Sequence, residues 1–326
     1  MPDTRCDTAE LVDRALAAAV LAPSPYNTQP WLFHVDGDRI DVLLDPSRVL
    51  PVADPQATQA RLAGGAAVFN LMTVIHAHGR AAQVVHPRKP PSELLATVRI
   101  GGRIRPTEAD RALVKAIAKR HSNRRPFLDQ PVPVHLRTVL VNAARGHLTE
   151  LVLLDPSPRY EMVARMVRRA DHVQRNDPAF QQEFAQWTGR PAAHLDGVSV
   201  HAAGAPPDAE NLLVLRSYPG QETWPARSYE QQPLLAMVCG RGSTAVDQVT
   251  AGMAMQHVLL MATAKGLSTS FVTQPFEVED LRAVLRKEFH PEGEPYTLLR
   301  LGYGYPTSPT RRRPHTDVTT YADREA

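Results

Sequence analysis

The sequence predicts a globular protein that mixes helices with strands and repeats one pattern of elements in two halves. Short β-rich runs alternate with segments of helical periodicity along 326 residues, of which 43% are hydrophobic and 22% charged. Two long apolar helices end at Gly79 and Gly266, and a strand follows each glycine. Residues 98–101 and 299–302 also resemble each other. An internal duplication would explain this pattern, although apolar helices that end at glycine also occur in unrelated units.

Composition and charge exclude several classes of protein. The longest apolar runs, such as residues 15–22, are too short to span a membrane, and the N-terminus lacks the features of a secretory signal. Cys6 and Cys239 have no CxxC spacing, which argues against a disulfide framework and a thiolate metal site. The formal charge of +3 is small, and no basic motif interleaved with aromatic residues is present. We therefore expect a cytoplasmic protein with no membrane, nucleic-acid or metal partner.

The first predicted half covers residues 1–105. Apolar spacing over residues 8–21 predicts an amphipathic helix, which Pro23 and Pro25 end. Two β-rich runs flank residues 36–38, which have the composition of a hairpin turn. The remaining elements predicted here are strands at 31–35 and 39–44, a helix at 58–78, and strands at 82–85 and 94–100.

The second predicted half covers residues 106–326. Thr107 and Asp110 resemble a capping box and begin a helix that runs to Lys119. Residues 189–232 are rich in Pro, Gly, Ala and polar residues, and we predict that this long stretch is a lid. The other elements predicted are helices at 134–144, 158–174, 246–265 and 278–289, and strands at 148–154, 234–239, 268–272 and 296–301.

A polar loop at residues 22–31 is the first candidate for ligand binding. Its three prolines fix the backbone, and its amide and hydroxyl side chains can both donate and accept hydrogen bonds. This combination suits the edge of a heteroaromatic ring. An ordinary turn leading into a strand, with Trp31 in the core, is the alternative interpretation.

A basic stretch at residues 120–127 is the second candidate. If the chain is extended here, Arg120, Ser122 and Arg124 share one side and could converge on a phosphate. The alternative is a solvated basic helix end. The turn after the strand at 268–272 and the basic residues 311–313 also bear polar groups, although a plain turn and a solvated tail are the preferred explanations of these segments taken alone. The sequence contains no dinucleotide-binding glycine fingerprint, P-loop, nucleophile elbow or HExxH motif.

Taken together, these segments resemble the nitroreductase family, and within it the Acg-like branch of NAD(P)H nitroreductases found in actinobacteria. The resemblance covers nearly the whole chain. It is carried by LAPSPYNTQPWLF at 21–33, RHSNRRPF at 120–127, WTG at 187–189, the long helix that ends at Gly266, and LRLGYGYP at 299–306.

The resemblance implies an α+β fold, an α-β-α sandwich that family members use as a dimer with FMN at the subunit interface. Those members carry both motifs in one half, whereas this chain has the ring-covering loop in its first half and the phosphate stretch in its second. We therefore expect two related halves that form a pseudo-dimer with one FMN per chain, so that a monomer would suffice.

The resemblance also implies roles for individual residues. The phosphate would be held by Arg120, Ser122, Arg124 and one or more of Arg311, Arg312 and Arg313. The ring would be bordered by Ser24, Asn27, Thr28 and Gln29, and its N5 and O4 edge by Thr273 and Gln274. No catalytic side chain is expected, because the flavin carries the chemistry.

Two functions follow from the resemblance. The first is an FMN-dependent oxidoreductase that transfers hydride from NAD(P)H to the flavin and then to a nitroaromatic or a quinone. The alternative is a catalytically weak FMN-binding or storage protein in which residues 189–232 shut the flavin away.

Overall fold

The computed structural model describes residues 4–87, 93–202, 212–219, 232–305 and 307–322. The helices are α1 Thr4–Ala19, α2 Thr58–Ala77, α3 Glu108–Lys119, α4 Val134–Arg145, α5 Pro158–Arg175, α6 Pro178–Trp187, α7 Ala245–Ala264 and α8 Glu279–Phe289. The strands are β1 Trp31–Asp36, β2 Arg39–Leu44, β3 Arg80–Val85, β4 Leu94–Arg103, β5 Glu150–Leu154, β6 Thr188–Arg190, β7 Val198–Ser199, β8 Leu234–Gly240, β9 Ser268–Phe271, β10 Glu294–Gly302 and β11 Thr319–Tyr321.

Every helix and strand predicted from the sequence is present, with ends that differ by a few residues, and the α+β class is confirmed. The capping box at Thr107 has both of its reciprocal hydrogen bonds with Asp110. Gly79 and Gly266 have φ values of 76° and 79°, as the left-handed cap requires. The sequence did not predict α6, β6, β7 or β11.

The two main sheets have the same architecture. The first has the order β11-β1-β2-β4-β3 and the second the order β5-β8-β10-β9. Without β11, each sheet places its strands in the chain order first, second, fourth, third, and all these neighbours pair antiparallel. β11 instead pairs parallel to β1, so that the end of the chain returns to the first sheet.

Helices α2 and α7 cross at a pair of glycines. A Cβ on Gly65 would lie 2.0 Å from the carbonyl oxygen of Val249, and a Cβ on Gly252 would lie 2.2 Å from that of Leu62. Gly65 and Gly252 each lie seven residues after the first residue of their helix, Thr58 and Ala245. The contact is therefore reciprocal, as between two copies related by a two-fold axis.

The core surrounds this crossing and continues onto both faces of the second sheet. One hydrophobic cluster joins α1, α2, α4 and α7 to both sheets, and another lies under α5 and α8. All seven residues of β8 are buried, and its side chains alternate between the two clusters. The second sheet is thus sandwiched between helices. In the described ranges, no helix combines the length and apolarity needed to cross a membrane.

The two main sheets differ in the connection that leads from the preceding helix into their first strand. Residues 20–30 link α1 to β1, whereas residues 146–149 link α4 to β5. The short connection carries His147, whose Nε2 lies 3.3 Å from Nδ1 of His257. Phe69 stacks on His257 with ring centroids 4.9 Å apart. Three rings therefore pack together beside the short connection.

The glycine crossing predicts the effect of a single methyl group. We expect Gly65→Ala to lower the free energy of unfolding by about 1 to 3 kcal/mol, because the new Cβ would overlap the backbone of α7. Chemical denaturation measures this change. Gly102→Ala is the control, since nothing lies within 4 Å of a Cβ at Gly102. Equal stability of both variants would contradict the close crossing.

The histidine pair predicts sensitivity to acid. Burial, and then the charge of His257, lower the pKa of His147 from 6.5 to about 4, so the folded state favours the neutral ring. Stability is therefore full above pH 6.5 and is lost as the pH falls from 6.5 towards 4, by about 3 kcal/mol. In denaturation curves recorded across this range, His147→Gln should remove much of the loss. Replacement of the exposed His135 is the control and should leave the acid-induced loss of stability unchanged. If His147→Gln loses as much stability as the wild type, His147 is not the cause of the loss.

Candidate functional site

A cavity of about 850 Å³, including its open mouth, lies beside α2 and α7. We call it the central cavity. α2 contributes Gln59, Leu62 and Ala63, and α7 contributes Met255. The sequence-predicted residues that line it are Ser24, Ser122, Arg124, Thr273 and Gln274. The polar loop and the basic stretch thus border the same space.

The polar loop does not present all its predicted residues to this cavity. Asn27 is buried, and its Nδ2 donates to the carbonyl oxygens of Gly197 and Arg311, each at 3.0 Å. Gln29 is fully buried, and its Nε2 donates to the carbonyl oxygen of Leu195 at 2.8 Å. Thr28 is also buried and, like Asn27 and Gln29, is absent from the cavity lining. The side chains of Asn27 and Gln29 hold neighbouring segments together, and none of the three residues lines the cavity.

The backbone explains this departure from the prediction. Tyr26, Asn27 and Gln29 have φ values of 44°, 60° and 54°, in the left-handed region that non-glycine residues rarely adopt. The loop therefore turns in a way that residue types alone did not indicate. Tyr26, which the sequence did not single out, lines the cavity instead.

The basic stretch is extended. Its predicted role, in which alternate side chains converge on a phosphate, required this conformation. Ser122 forms a parallel bridge with Thr269 of β9, and the backbone N–H of Asn123 donates to the carbonyl oxygen of Thr269 at 2.8 Å. Arg300, buried in β10, donates to the carbonyl oxygens of Asn123 and Arg125, each at 2.8 Å. Alternate residues of an extended chain point the same way, so Arg120, Ser122 and Arg124 share one side.

Three arginines form a cationic cluster at this end of the site. Burial, and then the charge of Arg124, lower the pKa of Arg120 to about 10. Burial, and then Arg120 and Arg124, lower the pKa of Arg312 to about 9. Within the described ranges, the hydrogen bonds of these guanidinium groups go to backbone carbonyls and the Thr310 hydroxyl, never to a carboxylate.

Arg120 has hydrogen-bonding capacity that the chain leaves unused. Its side chain is 6% exposed, and its Nη2 donates to the carbonyl oxygen of Leu21 at 3.2 Å. Its Nε and Nη1 are buried and have no partner among the described residues. Buried cations with unused donors are costly, and an anion would relieve that cost. The cluster therefore has the properties of an anion site.

Residues 311–313 do not act together. Arg312 lies in the cationic cluster, with its Nη2 donating to the carbonyl oxygen of Ala22 at 3.2 Å. Arg311 donates to the carbonyl oxygen of Ala193 at 3.2 Å, and Arg313 donates to that of Gln29 at 2.8 Å. Arg311 and Arg313 therefore tie the C-terminal segment to its surroundings.

The predicted lid at 189–232 is described only in part, since residues 203–211 and 220–231 lie outside the described residues. Leu215, Arg216 and Tyr218 line the central cavity. Arg124 donates to the carbonyl oxygen of Ala202 at 3.0 Å, and its guanidinium lies 5.1 Å from the centre of the Tyr218 ring. The described parts of this segment thus contact the cationic cluster as well as the cavity.

The sequence also failed to indicate Arg216 and Glu277. They form an ion pair of 2.7 Å and line the central cavity beside Tyr26. Their side chains are only 9% and 6% exposed. Arg216 lies in a stretch with no helical or strand periodicity, so its burial had no local signal. Among the described residues, no group of three or more His, Cys, Asp or Glu side chains could hold a metal ion.

Comparison with known proteins agrees with the motifs. The Nitroreductase family model matches residues 117–303, more than half of the chain. A Mycobacterium tuberculosis protein named "Putative NAD(P)H nitroreductase" is 30% identical over 98% of this chain and 94% of its own. Another from the same organism, whose name adds acg, is 25% identical over 98% of this chain and 97% of its own. A solved nitroreductase with bound FMN from Desulfitobacterium hafniense is 15% identical, with a TM-score of 0.42 over 65% of this chain and 98% of its own. The predicted resemblance is confirmed, and the chain belongs to the nitroreductase family.

Proposed function

We propose that this protein is an FMN-dependent NAD(P)H oxidoreductase of the nitroreductase type. The observation that carries the proposal is the buried Arg120, whose Nε and Nη1 have no partner among the described residues, beside Arg124 and Arg312. A phosphate monoester supplies the charge and the acceptor oxygens that this cluster lacks. Arg124 of this cluster also lines the central cavity.

The residues present fit both parts of FMN. Arg120, Arg124 and Arg312 would hold the phosphate, with the Ser122 hydroxyl beside them. Leu62, Ala63 and Met255 offer an apolar surface from the two crossing helices, which suits a flat ring. Ser24, Thr273 and Gln274 supply polar groups at its border.

We infer one FMN per chain from the difference between the two halves. The site draws its polar loop from residues 1–105 and its basic stretch from residues 106–326, so neither half would complete it alone. The reciprocal contact of Gly65 with Gly252 and the matching sheet orders support a pseudo-dimer of related halves. In the second half the equivalent connection is short and packs against the rings of Phe69 and His257. A monomer would therefore be sufficient.

When bound, the flavin would supply hydride transfer from NAD(P)H to a nitroaromatic or a quinone. The chain's own residues would bind and orient it and exclude water. Tyr26 would not transfer protons, because burial raises its pKa and its hydroxyl donates to Glu277 at 3.2 Å. NAD(P)H as the reductant is suggested by the names of the Mycobacterium tuberculosis relatives.

The second candidate function is FMN storage with little turnover. It is favoured by the buried ion pair of Arg216 with Glu277, which holds residues 212–219 at the wall of the cavity. A wall fixed in this way would hinder the approach of the nicotinamide ring of NAD(P)H to the flavin. Rapid NAD(P)H oxidation by the holoprotein in the presence of a nitroaromatic would exclude storage.

The stoichiometry gives the first test of the proposal. The purified protein, or the apoprotein after addition of FMN, should show a flavin absorption spectrum with one FMN per chain. Absorbance and protein concentration together give this ratio. A colourless protein that binds no added FMN would refute the cofactor, and a ratio of two would refute the single site.

The phosphate contacts give the second test. We expect Arg124→Ala to weaken FMN binding by about 1.5 to 3 kcal/mol, because a charge-assisted hydrogen bond is lost. Titration of the apoprotein with FMN, followed by flavin fluorescence, measures this change. Arg311→Ala is the matched control, since the Arg311 side chain donates to the carbonyl oxygen of Ala193 and does not line the central cavity. Equal affinities of the two variants would remove Arg124 from the site.

A further inference from the structure

Arg216 occupies an aromatic cage at the wall of the central cavity. Its guanidinium carbon lies 5.3 Å from the ring centres of Tyr26 and Phe180 and 5.6 Å from that of Phe184. Arg216 also donates to the Tyr26 hydroxyl and pairs with Glu277 at 2.7 Å. A cation held by three rings and a carboxylate has little freedom to move.

Glu277 connects this cage to three other parts of the chain. Its Oε2 accepts from the Tyr26 hydroxyl at 3.2 Å and from Gln174 Nε2 at 2.8 Å. Its Oε1 accepts from the Thr273 hydroxyl at 2.6 Å. The carboxylate thus joins the polar loop, α5 and the turn after β9 to residues 212–219.

The residues joined in this way form one side of the cavity. Tyr26, Leu215, Tyr218 and Thr273 all line it. Gln274 also contacts the segment, because its Nε2 donates to the carbonyl oxygen of Val214 at 3.4 Å. We call this group of residues, together with Arg216 and Glu277, the latch wall.

We propose that the Arg216–Glu277 pair is a specificity determinant that fixes the latch wall and limits acceptors to small, planar rings. The size limit follows because the pair fixes Tyr26 and residues 212–219 against the space beside the ring. The proposal rests on the proposed FMN site, and Arg216 acts as a positioning residue.

The variant that tests this idea must not leave a buried charge unpaired. Arg216→Met with Glu277→Gln removes both charges, fits an unbranched chain among the rings and keeps a side-chain amide oxygen that can accept from Tyr26. Arg159→Met with Glu292→Gln is the matched control. Arg159 pairs with Glu292 at 2.9 Å and lies 4.1 Å from the centre of the Phe289 ring, and neither partner lines the central cavity. Thermal melting establishes that each double variant is folded.

The first readout is the reoxidation of chemically reduced holoprotein by two quinones. Dithionite reduces the flavin, so that the measurement does not depend on NAD(P)H. We expect the wild type to react faster with p-benzoquinone than with a three-ring anthraquinone. The Arg216/Glu277 variant should lower the ratio of the p-benzoquinone rate to the anthraquinone rate about tenfold. A change in how well a substrate fits its pocket produces effects of this size. An unchanged ratio, or an equal change in the control, would overturn the proposal.

The second readout needs no flavin. Hydrogen–deuterium exchange of the apoprotein should increase in peptides that cover residues 24–30 and 212–219 in the Arg216/Glu277 variant, but not in the control. Unchanged exchange in both peptides would show that the pair does not fix the wall. If wild-type protein binds no FMN while this exchange difference is present, the proposed function fails and the positioning role of Arg216 remains.

Discussion

The close crossing of α2 and α7 is the constraint on which the site depends. Because Gly65 and Gly252 have no Cβ, the two helix backbones touch, and Leu62 of one helix comes to line the same cavity as Met255 of the other. The polar loop and the basic stretch are separated by 88 residues in the chain, 32–119. They border the same cavity because α2 and α7 pack at this crossing. The candidate site thus depends on the packing of these two helices.

The arginines around the cavity occupy two different electrostatic environments. Arg216 is buried with a carboxylate and three rings, and its pKa is raised despite burial. Arg120 is buried and Arg312 is partly buried, each near other cations, and their pKa values are lowered. Keeping like charges close together inside a folded chain lowers its stability, and a bound anion would offset that loss. This contrast distinguishes the end of the site that can take an anion from the wall that cannot.

The sequence predicted the elements whose signals are local. Helical periodicity, the capping box at Thr107 and the glycines after α2 and α7 each depend on neighbouring residues, and each prediction was correct. α6 was missed because it is short and directly precedes the Pro- and Gly-rich stretch, although Phe180 and Phe184 bury one side of it. β11 has three residues, and its pairing with β1 depends on tertiary packing. No local pattern could have revealed it.

The sequence could predict the part of the candidate site that depends on side chains alternating along an extended chain, because that alternation involves only neighbouring residues. The basic stretch is extended, as its proposed role requires, whereas the side chains of Asn27 and Gln29 are absent from the lining of the central cavity. Their hydrogen bonds to residues 195–197 and 311–313 stabilise a loop that contains three left-handed residues. Such backbone strain persists only when the surroundings hold it in place. The amide side chains therefore act on the cavity indirectly, by fixing the turn that places Ser24 and Tyr26 on its wall. A loop with the same residue types but without those tertiary hydrogen bonds would not present the same surface.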